Sequence, residues 1–388
     1  MATFYAVHNG PQGDESGDSV ANGMSLAGAI AAITAAGDEV RVCATGAYTT
    51  TADLDQTVAG TLAAPISILG ANASGTVDGT RPSIDRGGNR GIVAVVSYQV
   101  VRHLDWTGSA AVIREAVRVG NYSVISDCSE DSQGTSGGGF RCAGGVVRRC
   151  EYTGTGAIGF QIDSGIAEDC VSRGGSSGFA GTTAQRNSTA FVNCIAYDCT
   201  TGFRLQATTQ AGSAVIGCLA YECGEGLFFN NSAGANVSSM TVVRNCVFAD
   251  CDDGINTNET EFRAMVIENC IFANNDYGIN NATAFSPSVA DFLTRCAFYS
   301  STSGHLAIGS VPADCETGTD PLFVDDTNAT LALRNYQLSA SSTFINKQFT
   351  GIGPNFVSYP DWGYAQSEPA AGGGGGGFYV SQSARMLR

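Results

Sequence analysis

The chain has 388 residues, 43% of them hydrophobic, with 50 glycines against 9 prolines. That is enough apolar material for a continuous core, and the absence of a Gly-X-Y period excludes collagen. A net charge of −16 with a single lysine, Lys347, leaves no basic stripe, so nucleic acid is set aside as a partner.

The N-terminus, Met-Ala-Thr-Phe-Tyr-Ala-Val, has no basic region leading into an apolar run of signal length. No segment approaches the ~18 apolar residues of a membrane span. The expectation is a chain made in the cytoplasm without a signal peptide and without a membrane span. Ser25 to Ala36 reads as a short helix with Leu26, Ala29, Ile30 and Ile33 on one face, Ser25 as N-cap and Gly37 as the stop. Strands are expected at Glu39-Val40-Arg41-Val42-Cys43 and again at Pro65 to Gly70. The helix is expected to lie as a lid on the first coil that these strands begin.

A repeat then sets in. Cys128, Cys150, Cys170, Cys194, Cys218, Cys246, Cys270 and Cys296 are separated by 22, 20, 24, 24, 28, 24 and 26 residues. Eight residues after each cysteine from Cys170 onward stands a glycine: Gly178, Gly202, Gly226, Gly254, Gly278 and Gly304. This predicts an all-β chain, a single-stranded right-handed parallel β-helix of about 24 residues per coil. Each coil is expected to hold one strand around its cysteine, a polar turn and a Gly-led second strand, the glycine supplying a backbone angle other residues resist. The cysteines are expected to stack inward as free thiols, with Cys199, Cys223 and Cys251 as a second inward column. No CxxC pair or Cys/His cluster suggests a metal, and no cofactor is expected. Arg148-Arg149 and Glu168-Asp169 hold equivalent positions in successive coils and are expected to pair across the surface, where Asn193, Asn245 and Asn269 continue the second column.

Four residues after the cysteine runs the column Asp198, Glu222, Asp250 and Asn274. Stacked carboxylates ~5 Å apart suit glycosidic-bond cleavage or a Ca²⁺ site, and equally the turn chemistry of Asp and Asn. Asp252, Asp253 and Asp276 lie in the same turns, with Glu225 just before Gly226. After Asn346 the period stops. Residues 347–388 contain six consecutive glycines, then Phe378, Tyr379, Val380, Met386 and Leu387, and read as a docking tail. Three parts result: an N-terminal segment and cap helix (1–38), the β-helix (39–346) and the tail (347–388).

Phe4 to Asn72 resembles the first coils of the pectate-lyase-like right-handed β-helix superfamily. Thr319 to Asn346, with Asp320-Pro321-Leu322-Phe323-Val324-Asp325 and Tyr336-Gln337-Leu338-Ser339, is similar to the last coil of many members. The resemblance implies the fold and leaves the activity open, since members include lyases, hydrolases, epimerases and structural proteins of phages. Bacteriophage virion members are the ones it resembles most. The expected function is therefore a non-enzymatic virion component (spike, fibre or decoration protein), a rod for host-surface attachment. Its expected partners are other virion proteins, through the tail or the N-terminal segment, a host surface polysaccharide, and further copies of itself, a trimer being favoured. Two alternatives stand beside it: a polysaccharide lyase or hydrolase using the stacked carboxylates, and a bacterial surface adhesin.

Overall fold

The structure is a computed structural model that describes residues 1–344 except 9, 11–15, 109–113, 133–136, 157, 183–187, 207–211, 231–240, 258–264, 282–292, 308–309, 332–333 and 340. The tail residues Phe378, Tyr379, Val380, Met386 and Leu387 lie outside the described residues.

The chain is a right-handed parallel β-helix whose coils present three faces. Every pairing in the coil is parallel, each strand meeting the strand one coil on: Ile125 with Val147, Val147 with Ala167, Ala167 with Phe191, Phe191 with Val215. That row forms the first face. A second face runs through Val117, Phe140, Phe160, Phe179, Phe203, Leu227, Ile255 and Ile279. The long strands Arg114–Ser126 and Gly137–Arg148 turn from the second face into the first and join them in one sheet. The third face is a separate 12-stranded sheet of short strands.

One coil cannot bury its own inner face, so each apolar residue is covered by its equivalents in the coils on either side. The phenylalanines of the second face show this most plainly. Phe140, Phe160, Phe179 and Phe203 stack with centroids 5.3, 4.7 and 5.0 Å apart. On the third face Phe248, Phe272 and Phe298 do the same at 5.5 and 4.8 Å. The interior also holds an ion pair: Arg86 donates to Glu130 at 2.7 Å, with both side chains wholly shielded from solvent. Removing the guanidinium leaves a buried carboxylate unpaired, so Arg86→Met is expected to cost about 3–5 kcal/mol in a chemical unfolding experiment.

The cysteines stack as expected. Cys194, Cys218, Cys246 and Cys270 are fully buried and free, as are the column's other members from Cys128 to Cys296, and Cys315 adds a half-exposed last rung. Each thiol donates weakly to backbone carbonyls, Cys194 to Ala167 and Val192, Cys246 to Val215 and Arg244. Cys199, Cys223 and Cys251 form the second column, which Asn275 continues by donating from Nδ2 to the Phe248 carbonyl and accepting from the Cys251 N–H.

Several expectations are corrected. Each coil holds three strands, and the cysteine stands at a corner rather than inside one: Thr189–Val192 precedes Cys194 and Ile195–Tyr197 follows it. The corner bend is made by the residue before the cysteine, with φ of 53° at Asp169, 52° at Asn193, 56° at Asn245 and 60° at Asn269. Asp and Asn tolerate this left-handed region, which explains their recurrence there. The recurring glycine answers a different need. Gly178, Gly202, Gly226, Gly254 and Gly278 keep negative φ, but a Cβ at Gly226 would lie 2.6 Å from the Gly254 carbonyl oxygen and 2.7 Å from the Phe248 ring. Glycine is required by close approach to the next coil, not by backbone angle. Arg149 forms a two-pronged pair with Asp127 of the preceding coil, at 2.6 and 2.8 Å, rather than with the Glu168-Asp169 coil.

A helix forms where one was expected but is shorter, Leu26–Ala31, with Ser25 Oγ accepting from the Gly28 N–H and Leu26, Ala29 and Ile30 buried. It stops early because Asp38 draws the later residues into a turn, its Oδ2 accepting from the N–H groups of Thr34 and Ala35. Among the described residues, no helix is long and apolar enough to cross a membrane.

The described part of the closing segment, Thr319 to Phe344, does not close the stack as a further coil. Phe323–Asp325 and Asn335–Leu338 pair antiparallel. The hairpin packs Tyr336, Leu338 and Phe344 on the outer side of the third face, against Tyr197, Leu219, Tyr221, Val247 and Ile271. Val247, which alternation alone would place toward solvent, is therefore fully buried.

Candidate functional site

Asp198, Glu222, Asp250 and Asn274 form the corner after the third-face strands, with φ of 58°, 50°, 51° and 56°. The structure brings two of them together around the hairpin. Arg334 Nη1 donates to Glu222 Oε1 at 2.6 Å and to Asp250 Oδ2 at 3.2 Å, and the Tyr336 hydroxyl donates to Asp250 Oδ2 at 2.5 Å. Tyr221 donates to the Leu331 carbonyl at 2.9 Å beside them. Asp198 stands apart, 3.8 Å from Arg173 on an exposed surface, and Asn274 completes the corner. Bend and hairpin anchor thus account for this column. Replacing Arg334 with Met is expected to lower the melting temperature by a few degrees, since the hairpin loses its ionic anchor but keeps its apolar one.

A second set of carboxylates lies on the outer side of the second face. Glu225 begins the strand Glu225–Asn230 and Asp253 the strand Asp253–Thr257, and the two residues are register partners on adjacent coils. Parallel neighbours place their backbones ~4.8 Å apart. Both precede the glycine of the repeat, whose close approach turns the following apolar residue inward and leaves the acid outside.

Their hydrogen bonds differ. Glu225 accepts at both oxygens, from Thr201 Oγ1 at 2.8 Å and from Asn256 Nδ2 at 3.0 Å. Among the described residues Asp253 accepts at Oδ2 alone, from Asn280 Nδ2 at 3.0 Å. Partial burial is the main cause pushing both carboxyls above the usual carboxylate range. The Asp253 charge adds to it at Glu225, and the charges of Asp252 and Asp276 add to it at Asp253. Arg204, from the strand Thr201–Gln206, lies close enough to oppose the shift at Glu225. It makes no hydrogen bond or ion pair among the described residues, and its Nε is shielded from solvent. Phe228, half-buried, completes the row as the register partner of Arg204.

The arrangement offers two carboxyls of raised proton affinity, Glu225 with two hydrogen-bond donors and Asp253 with one, and a guanidinium with no partner among the described residues. That is the equipment of acid–base chemistry on a polar substrate. Among the described residues, no group of three or more His, Cys, Asp or Glu side chains is placed to hold a metal ion.

No protein-family model matches the chain, and no curated protein matches its sequence. Solved structures do resemble it. Pectate lyase Pel9A shares 15% identity over 95% of this chain and 97% of its own, with a TM-score of 0.60. A rhamnogalacturonan lyase shares 15% over 84% and 91%, at 0.50. The A-module of a mannuronan C-5 epimerase of Azotobacter vinelandii shares 15% over 82% and 98%, at 0.44. The fold is thus that of the pectate-lyase-like right-handed β-helices. The expectation of a non-enzymatic virion component is corrected by the first two likenesses, which are to proteins named as a pectate lyase and a rhamnogalacturonan lyase. The expectation rested on the resemblance to virion members, the rod shape and the N-terminal sequence, and a β-helix serves enzymes and fibres alike.

Proposed function

We propose that this protein cleaves glycosidic bonds in a polysaccharide, with Glu225 and Asp253 as the reacting pair and Arg204 as the group that holds the sugar. The observation that carries the reading is the in-register placement of the two carboxyls on adjacent strands of an outer face. Both are pushed up, and among the described residues Glu225 accepts two hydrogen bonds and Asp253 one. In hydrolysis Asp253 gives its proton to the leaving oxygen, and Glu225 acts from the neighbouring coil as nucleophile or as base toward water. Register partners suit the ~5 Å carboxyl separation of retaining glycosidases. A planar guanidinium suits a sugar carboxylate or a pair of hydroxyls.

A second reading, β-elimination, is favoured by Arg204, which lies near enough to Glu225 to oppose its shift and has no hydrogen-bond or ion-pair partner among the described residues. Incubation with pectate, rhamnogalacturonan and a panel of neutral glycans, followed for new reducing ends and for ultraviolet absorbance of unsaturated products, separates the two. Reducing ends without absorbance support hydrolysis, and both together support elimination. No cleavage across the panel overturns the proposal.

The pH profile gives a further expectation. Activity by hydrolysis falls on the acid side as Glu225 takes up a proton and on the alkaline side as Asp253 loses its own. Because both carboxyls are raised, both limbs are expected above about pH 4, the ordinary carboxylate range. Arg204→Met removes the cation that favours ionised Glu225, so the acid limb of kcat/KM should move to higher pH.

A further inference from the structure

We propose that Tyr122 is a sugar-stacking subsite, remote from Glu225 and Asp253, that receives the apolar face of a pyranose ring in an extended glycan. This rests on the reading of the protein as a polysaccharide-cleaving enzyme.

Tyr122 is 71% exposed, the most exposed Phe, Tyr or Trp among the described residues. It stacks on Tyr98 of the preceding coil, centroids 5.2 Å apart and planes 18° from parallel. Both tyrosines hold the left-handed region, φ 59° at Tyr98 and 56° at Tyr122, where a bulky side chain is costly by about 1–3 kcal/mol. Tyr122 is also the extra residue of a bulge: Asn121 pairs with Gly144 and Ser123 with Gly145, so no residue of the next coil stands opposite it. Bulges re-aim side chains.

The next coil supplies no cover. Gly144 and Gly145 have no side chains, and Gly165, the register partner of Gly145, extends the bare backbone one coil further. A Cβ at Gly145 would lie 2.1 Å from the Ser123 carbonyl oxygen, and one at Gly165 2.2 Å from that of Gly145, so a side chain cannot be accommodated at either place. One face of the Tyr122 ring is therefore packed on Tyr98 and the other opens onto a strip of backbone. A stack serving stability alone would be buried by the next coil, as the interior phenylalanines are. A flat, polarisable ring beside exposed peptide groups matches a pyranose, which offers C–H groups on one face and hydroxyls at its edge.

The position suits an extended chain. Along the second face, Val117 of the Tyr122 strand leads to Phe140, Phe160, Phe179, Phe203 and Leu227, five coils in all, and Leu227 shares its strand with Glu225. At ~4.8 Å per coil the separation along the axis is about 24 Å, so one substrate spans both sites only if it is several sugars long.

The test uses the full chain with Tyr122→Asn, which removes the ring but tolerates the left-handed backbone, and Tyr122→Phe, which keeps the ring. Binding to pectate and to rhamnogalacturonan is measured by affinity electrophoresis, and cleavage is compared on polymer and on short oligosaccharides of the same glycan. Tyr122→Asn is expected to weaken polymer binding about tenfold and to raise KM on the polymer. Its kcat on short oligosaccharides should stay unchanged with the protein folded, and Tyr122→Phe should behave as the parent. Unchanged binding and KM in Tyr122→Asn, with cleavage intact, overturn the subsite and leave the proposed activity standing. Weakened binding in a protein that cleaves neither glycan keeps the subsite and overturns the activity. A parent protein that binds neither glycan overturns the subsite, and one that also cleaves nothing across the panel overturns both.

Discussion

Glu225→Gln is expected to lower kcat on the cleaved glycan by about 10²- to 10⁴-fold, the usual contribution of a positioned acid or base, with the melting temperature unchanged. Gln keeps the size of the side chain and an oxygen for Thr201 or Asn256 to donate to, but it can neither take a proton nor form a covalent bond to the sugar. Asp253→Asn should cause a loss of similar size, because the amide accepts from Asn280 as before but has no acidic proton to give. The comparison with the other carboxylate column makes the experiment specific. Glu222→Gln and Asp250→Asn loosen the hold of Arg334 on the hairpin, so they should lower stability slightly and leave kcat as it was. If the Glu222 or Asp250 variants lose activity and the Glu225 variant keeps it, the reacting pair has been assigned to the wrong corner of the coil.

Cys246→Asp is expected to prevent folding. The Cys246 thiol is fully buried and faces the carbonyl oxygens of Val215 and Arg244 at 3.4 and 3.2 Å. A carboxylate there meets acceptors instead of donors, and the cost of burying it unpaired exceeds the roughly 5–15 kcal/mol of net stability a folded protein holds. The variant should accumulate as aggregate, since unstacked coils expose strand edges. Cys246→Ser is the control, because its hydroxyl donates where the thiol did and a small loss of stability is expected. A soluble Cys246→Asp variant with cooperative melting would show that the column is not packed as described.

The stacking of the coils was legible because a β-helix writes its geometry as a period. Cysteines 20 to 28 residues apart can share an inward column only if each interval is one coil. What the period could not convey is which atoms meet between coils. The glycine eight residues after each cysteine marks a close approach, and a string of letters does not separate that from a left-handed bend. The closing segment was recognisable from Asp320-Pro321-Leu322-Phe323 and Tyr336-Gln337-Leu338-Ser339. Its antiparallel return over the third face, which claims Glu222 and Asp250, is a tertiary contact between residues 112 and 84 positions apart in sequence.

Glu225 and Asp253 were visible as acids beside the repeating glycine, yet nothing local distinguished them from the acids one corner earlier. Only the register shows that one column turns toward the hairpin and that the other pairs coil to coil along the second face. Tyr98 and Tyr122 left a usable signal that composition hides: they stand 24 residues apart, one coil, before the cysteine ladder begins.

Whether the reacting site lies on the outer side of the second face is decided by a crystal structure of Glu225→Gln soaked with an oligosaccharide of the glycan that the parent protein cleaves. A sugar ring is expected to be seated over Arg204, Phe228 and Asn256, with its glycosidic oxygen within hydrogen-bond distance of Asp253. A sugar bound instead along Asp198, Glu222, Asp250 and Asn274, with Arg334 displaced from its carboxylates, would contradict that placement.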